Sequence, residues 1–175
     1  MGAMRKDRDI PYIGKDALAF TLTSAATADS EALKQASRLG IVAGLRSMTP
    51  LAVLTWSETE VAPKLKTITA LLAAGELIGD KLPFTPSRLK PGSVLFRLTI
   101  GATAGALLCK RIQQPVLTGA IRGAVGAAIG TVAGYAYRTV AADVTGIPDI
   151  VWAIIEDGVA VGLGRLATTS DTQNL

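Results

Sequence analysis

The chain has 175 residues, of which 49% are hydrophobic and only 18% charged, and its mean hydropathy is +0.39. Soluble domains carry about a quarter charged residues, so the composition speaks against an ordinary soluble domain and for a helical bundle in the lipid bilayer. The formal net charge of +4 is a hint of nucleic acid, but the dispersal of the basic residues between apolar stretches, with no aromatic interleaving, argues against it. The absence of His, with a single Cys109, removes histidine triads and dyads, histidine metal sites and an internal disulfide.

Residues 1–38 read as a polar arm that carries Arg5, Lys6, Arg8, Lys15, Lys34 and Arg38. Its one apolar stretch, Ala17 to Thr23, is short for the core of a signal peptide cleaved near Ala26 or Ala28. Asp29 and Ser30 are N-cap residues, and a helix is expected to start there and lead into the first apolar span, 39–56. Pro50 should kink or break that span, and Trp56 ends it as an interface residue would. A second span, 68–82, would be about 22 Å long as a helix against a hydrocarbon thickness of about 30 Å, too short to cross comfortably alone.

Pro83, Pro86 and Pro91 predict an extended loop, followed by a third span at 93–109 with Arg97 near its start, where its side chain can snorkel to the interface. The fourth span, 116–137, carries Gly126, Gly130 and Gly134 along one face, and Gly101 and Gly105 do the same for the third. Such stripes permit close approach of helices, within the chain or between copies in a homo-oligomer, with packing inside the chain favoured. Pro148 opens a fifth span, 148–166, and residues 168–175 form a polar tail. Five crossing spans place ten Lys and Arg on the side of the N-terminus and five on the other, so the N-terminus is expected in the cytoplasm of a bacterium with this protein in its inner membrane.

The ionisable residues within the spans include Arg46, Glu76, Asp80, Arg97, Arg122, Glu156 and Asp157. A charge near the bilayer centre costs about 2.5 to 3.5 kcal/mol on insertion scales, so each needs a counter-charge, a wet cavity or a task. Glu76 and Asp80, four residues apart, share a helix face and can address one cation or one Arg. Glu156 and Asp157 are adjacent, point about 100° apart on a helix and must have different surroundings. An Arg after glycines precedes a Glu on a short span twice, as Arg46 to Glu76 and Arg122 to Glu156. This order suggests two inverted halves, with Arg46 facing Glu76 and the carboxylates converging near mid-bilayer.

Three stretches also carry a resemblance. Gly44-Leu45-Arg46-Ser47-Met48-Thr49-Pro50, the run Gly75-Glu76-Leu77-Ile78-Gly79-Asp80-Lys81-Leu82-Pro83 with Thr85-Pro86-Ser87-Arg88, and Ile154-Ile155-Glu156-Asp157-Gly158-Val159-Ala160-Val161-Gly162 resemble the signature stretches of an uncharacterised family of small bacterial integral membrane proteins. The similarity covers roughly Ala36 to Ala167 and leaves out the arm. It implies a multi-span helical membrane protein and brings no activity with it; Arg46, Pro50, Glu76, Asp80, Lys81, Pro83, Glu156 and Asp157 match motif positions.

Two functions follow as expectations. In the first, a small transporter or channel for an ion or solute uses Arg46, Arg122, Glu76, Asp80, Glu156 and Asp157 as its pathway, with Pro50 and Pro83 breaking helices. In the alternative, a non-transporting scaffold or assembly factor uses the same charges to hold helices together. Enzyme chemistry is not expected, since paired-Cys sites and the Asp-x-x-Asp-Gly pattern of lipid transferases are missing, and neither cofactor nor metal is called for.

Overall fold

The computed structural model describes residues 15–79 and 89–169. Among them are six helices and no strand: α1 (Lys15–Leu45), α2 (Thr49–Ser57), α3 (Pro63–Gly79), α4 (Pro91–Arg111), α5 (Val116–Thr145) and α6 (Asp149–Thr169). The chain is therefore all-helical in the described residues, and two of the helices, α4 and α5, are long and apolar enough to cross a membrane.

Helix α1 starts earlier than the caps at Asp29 and Ser30 suggest and runs through both. The stretch around them is rich in Ala and other helix formers, and capping potential does not stop a helix whose interior propensity is high on both sides. Its other end falls inside the expected first span, where the helical pattern stops at Leu45 and resumes at Thr49. Pro50 occupies the first turn of α2, where its missing N–H costs nothing. The proline thus starts a new helix after a break at residues 46–48, and the bend is far sharper than a kink.

Packing fixes the direction of each helix. Ala36 and Leu39 of α1 form one buried cluster with Leu54 of α2, Ala104, Leu108 and Cys109 of α4, and Ala167 of α6. Leu54 can meet Ala36 only if α2 turns back along the bundle toward the end where α1 came from. At that basal end Arg111, the last residue of α4, pairs with Glu58 and donates to Ser57 Oγ at 3.1 Å. Helix α3 then runs away from the basal end beside α2: Trp56 Nε1 donates to the Lys66 carbonyl at 3.0 Å, and Glu76 reaches the start of α2. The first expected span is thus a hairpin of two helices whose open ends both lie at the basal end of the bundle.

Helices α1, α4 and α5 make the close-packed centre. A Cβ at Gly101 would lie 2.6 Å from the Gly123 carbonyl oxygen, and one at Gly119 would lie 2.5 Å from Cys109 Sγ. On its other side α5 meets α1, with Gly126 against Ser37 and Gly40, and Gly130 against Ile41. The glycines serve packing inside the chain: Gly126 and Gly130 turn one face of α5 to α1, and Gly119 and Gly123 turn another to α4. Rising numbers in α1 meet rising numbers in α5, so these helices run parallel, while α4 runs against both.

This direction overturns the inverted-halves expectation. An inverted repeat that matches the first span to the fourth requires the two to run in opposite directions, and α1 and α5 run in the same one. The reversal at residues 46–48 adds one change of direction that counting apolar stretches cannot see. Gly146, at a φ of 65°, lets the chain leave α5 and turn into α6, which returns antiparallel to α5.

Candidate functional site

The charged residues gather around the break between α1 and α2. A helix that stops inside a bundle leaves carbonyls at its C-terminal end and N–H groups at the next N-terminal start, and each must find a partner. Arg97 of α4, 4% exposed, supplies the first: its Nη1 donates to the Gly44 carbonyl at 2.6 Å and to the Leu45 carbonyl at 3.1 Å. Glu76 of α3 supplies the second, as Oε1 accepts from the Ser47 N–H at 2.6 Å and Oε2 from the Met48 N–H at 2.7 Å. Positive charge at a helix C-terminus and negative charge at an N-terminus are the favourable signs for the helix dipoles. Met48, at the N-cap position of α2, makes no side-chain cap of its own, so the carboxylate from α3 takes that place.

Arg46 lies between the two capped ends and is fully buried. Its Nη2 forms an ion pair with Asp157 Oδ1 of α6, whose side chain is 15% exposed. The neighbouring Glu156 is also buried, at 3%, and its Oε2 stands 3.9 Å from Arg138 Nη1 of α5. The 100° between adjacent helix positions thus sends Asp157 to the α1–α2 break and Glu156 to α5. Above Glu156, Tyr137 and Trp152 meet edge to face with centroids 5.5 Å apart.

The structure therefore brings together Arg46, Glu76 and Asp157, with Glu156 one position away and Pro50 buried in the first turn of α2. The expected contact of Arg46 with Glu76 is a contact of Glu76 with the backbone just after Arg46, and the arginine's ion pair goes to Asp157. Arg122 is not part of this group. It is exposed on α5 and faces α1 beside Lys34 and Arg38. Asp80 and Pro83 lie outside the described residues.

Two site residues escaped the sequence reading. Arg97 looks like an interfacial residue by its place near the start of a span, but α4 extends beyond it to Pro91 and buries it. The signal was indirect: Pro50 demands a helix start, a start demands a preceding stop, and a stop in a dry interior demands a donor for its carbonyls. Arg138 lies just beyond the expected fourth span, 116–137, where its position gives no sign of the pairing with Glu156.

The ion pair makes a prediction. Asp157→Asn removes the carboxylate that faces a fully buried guanidinium, and breaking a buried pair in this way costs about 3 to 5 kcal/mol. A lowered unfolding temperature in detergent is expected, with much of the loss recovered when Arg46→Met is combined with Asp157→Leu, since an apolar pair removes both charges. Wild-type stability of the Asn variant would show that Arg46 does not depend on Asp157.

Comparison with protein-family models, curated proteins and solved structures finds no match. The site therefore has to be read from its own geometry.

Proposed function

We propose that the chain is an integral membrane protein in which α3 to α6 cross the bilayer around a re-entrant α1–α2 hairpin, and that it works as a non-transporting scaffold or assembly factor. Membrane embedding is supported by an inverted distribution of residue types. Large apolar side chains face outward, among them Leu71 at 66%, Leu95 at 65%, Leu117 at 73% and Val132 at 62% exposure, while Arg46, Arg97 and Glu156 are buried. Water would reward the reverse; lipid rewards this one. The resemblance to small bacterial membrane proteins points the same way.

The scaffold reading rests on one observation: each of these three buried charges is directed at a helix end or a counter-charge. Both ends of the broken helix are occupied by the protein's own side chains, which leaves them no open valence for a substrate in this conformation. The cavity beside Glu156, about 310 Å³, is walled mainly by apolar groups such as Ile41, Leu45, Ile155 and Val159. A transporter or channel is the second reading, favoured by the discontinuous helix itself, a feature of transport sites. In that reading Arg46, Glu76 and Asp157 would exchange partners during the cycle.

The hairpin also changes the topology count. Lys34, Arg38, Lys64, Lys66, Lys110, Arg111 and Arg165 come to the basal end, while Lys90 and Arg138 belong to the distal end. Seven against two, counted among the described residues near the helix ends, supports a cytoplasmic basal end, on the side of the N-terminus in a bacterial inner membrane. Thr59→Cys, in the loop between α2 and α3, should then be labelled by an impermeant maleimide only from the cytoplasmic side. Labelling from the opposite side would mean that the first apolar segment crosses. The same preparation, reconstituted in vesicles, should show no ion or solute flux above protein-free vesicles; flux that Asp157→Asn abolishes in a folded protein would favour the transporter.

A further inference from the structure

Among the described residues of the expected pathway, Arg122 stands apart from the group around the break, and its surroundings suggest another task. It sits six residues past the start of α5, about 9 Å into the helix. Across from it, Lys34 and Arg38 of α1 complete three cations around an open cleft of about 730 Å³. Ser30 offers a hydroxyl, and Leu33 and Ile41 form apolar walls. Among the described residues one carboxylate serves this group: Glu31 lies 3.3 Å from Lys34 Nζ and 3.3 Å from Arg38 Nη1, against three cations. On the outer face of α5, Ile121 and Val125 flank Arg122 and are 56% and 52% exposed.

We propose that Lys34, Arg38 and Arg122 bind the phosphate of an acidic phospholipid, whose acyl chains lie along Ile121 and Val125. The inference rests on the membrane reading above and adds a ligand to it. The chemistry fits a phosphate because two guanidinium groups and an ammonium can share its oxygens, and guanidinium recognises it in a bidentate way. The place fits a lipid because the cleft opens on the basal half of the bundle, the half in which α4 ends with Lys110 and Arg111. Basic pockets between helices on the cytoplasmic side are where acidic headgroups settle. A soluble phosphate would use the cations alone and leave the apolar flank without a role.

The test uses the full chain in discs of phosphatidylcholine with or without phosphatidylglycerol, with retained lipid measured by mass spectrometry and unfolding followed by temperature. Phosphatidylglycerol should be retained in preference to phosphatidylcholine and should raise the unfolding temperature. Arg122→Gln combined with Lys34→Gln should reduce that retention by roughly tenfold or more, while Arg122→Lys should keep part of it. Both residues are exposed, so the unfolding temperature in phosphatidylcholine alone should not change. Equal retention by the glutamine variant would overturn the site, and so would an equal loss of stability in both lipids, which would make the cations structural. A shift produced by inorganic phosphate in phosphatidylcholine discs would assign the site to a free anion and overturn the lipid. Failure of the membrane reading is separately visible: the chain would stay in the aqueous supernatant after alkaline washing of membranes, before any lipid is measured.

Discussion

Gly123→Val is expected to abolish folding of the bundle, whereas Gly158→Ala is expected to leave it intact or slightly more stable. Both glycines lie inside helices, so the intrinsic helix propensity favours the substitution at each by up to about 1 kcal/mol. Tertiary contact reverses the sign at only one of them. A Cβ at Gly123 would overlap the Gly101 carbonyl oxygen, and the Gly123 carbonyl in turn fills the place where a Cβ on Gly40 would go. Backbone cannot yield as a flexible side chain can, so α5 would have to move away from α4, and the fit of the Gly123 carbonyl against Gly40 of α1 would be lost with it. Overpacking of cores costs about 1 to 3 kcal/mol and occasionally more, and here two helix interfaces open at once. Gly158 has nothing within 4 Å of its Cβ position. The measurement is the yield of monodisperse protein in detergent and its unfolding temperature. The reverse order of the two variants would mean that the outward glycines of α6 carry an interface between copies and that the α4–α5 contact is dispensable.

The second large effect is expected at Glu76. In Glu76→Leu the N–H groups of Ser47 and Met48 lose their acceptors in a part of the bundle where Ser47 is only 4% exposed. An unsatisfied buried donor costs about 1 to 3 kcal/mol, so two together cost about 2 to 6 kcal/mol, enough to consume much of a typical protein's stability. Glu76→Gln keeps one acceptor oxygen and loses the charge, and should fall between the two. The cap also holds α3 against α2, so the loss should be local at first. Accelerated hydrogen exchange in residues 47–57 and 63–79, with α4 and α5 still protected, is the expected pattern. Uniform exchange across all helices would instead place Glu76 among the residues that hold the whole bundle. Wild-type exchange in Glu76→Leu would rule out the cap.

Composition and pattern alone determined several things about this protein. A low share of charged residues, glycines at four-residue spacing and long apolar stretches specify close-packed helices with many apolar side chains facing outward, and these are local properties of the chain. The motif Gly44 to Pro50 likewise announces an interrupted helix, because proline cannot sit deep inside one. The adjacent Glu156 and Asp157 had to serve different neighbours for reasons of helix geometry alone.

Only the tertiary structure decided what the interruption does. A kinked helix and a hairpin have the same sequence signal, since hydropathy has no direction. The choice depends on whether distant groups exist to satisfy the severed helix ends, and those groups are Arg97, 52 and 53 residues away from the carbonyls it caps, and Glu76, 28 and 29 residues away from the N–H groups it accepts from. The partner of Arg46 was hidden in the same way, because the carboxylate in reach depends on where α6 returns and not on spacing along the chain. The reversal at residues 46–48 then sets the direction of every later helix relative to α1, which is why pattern alone suggested inverted halves while packing made α1 and α5 parallel.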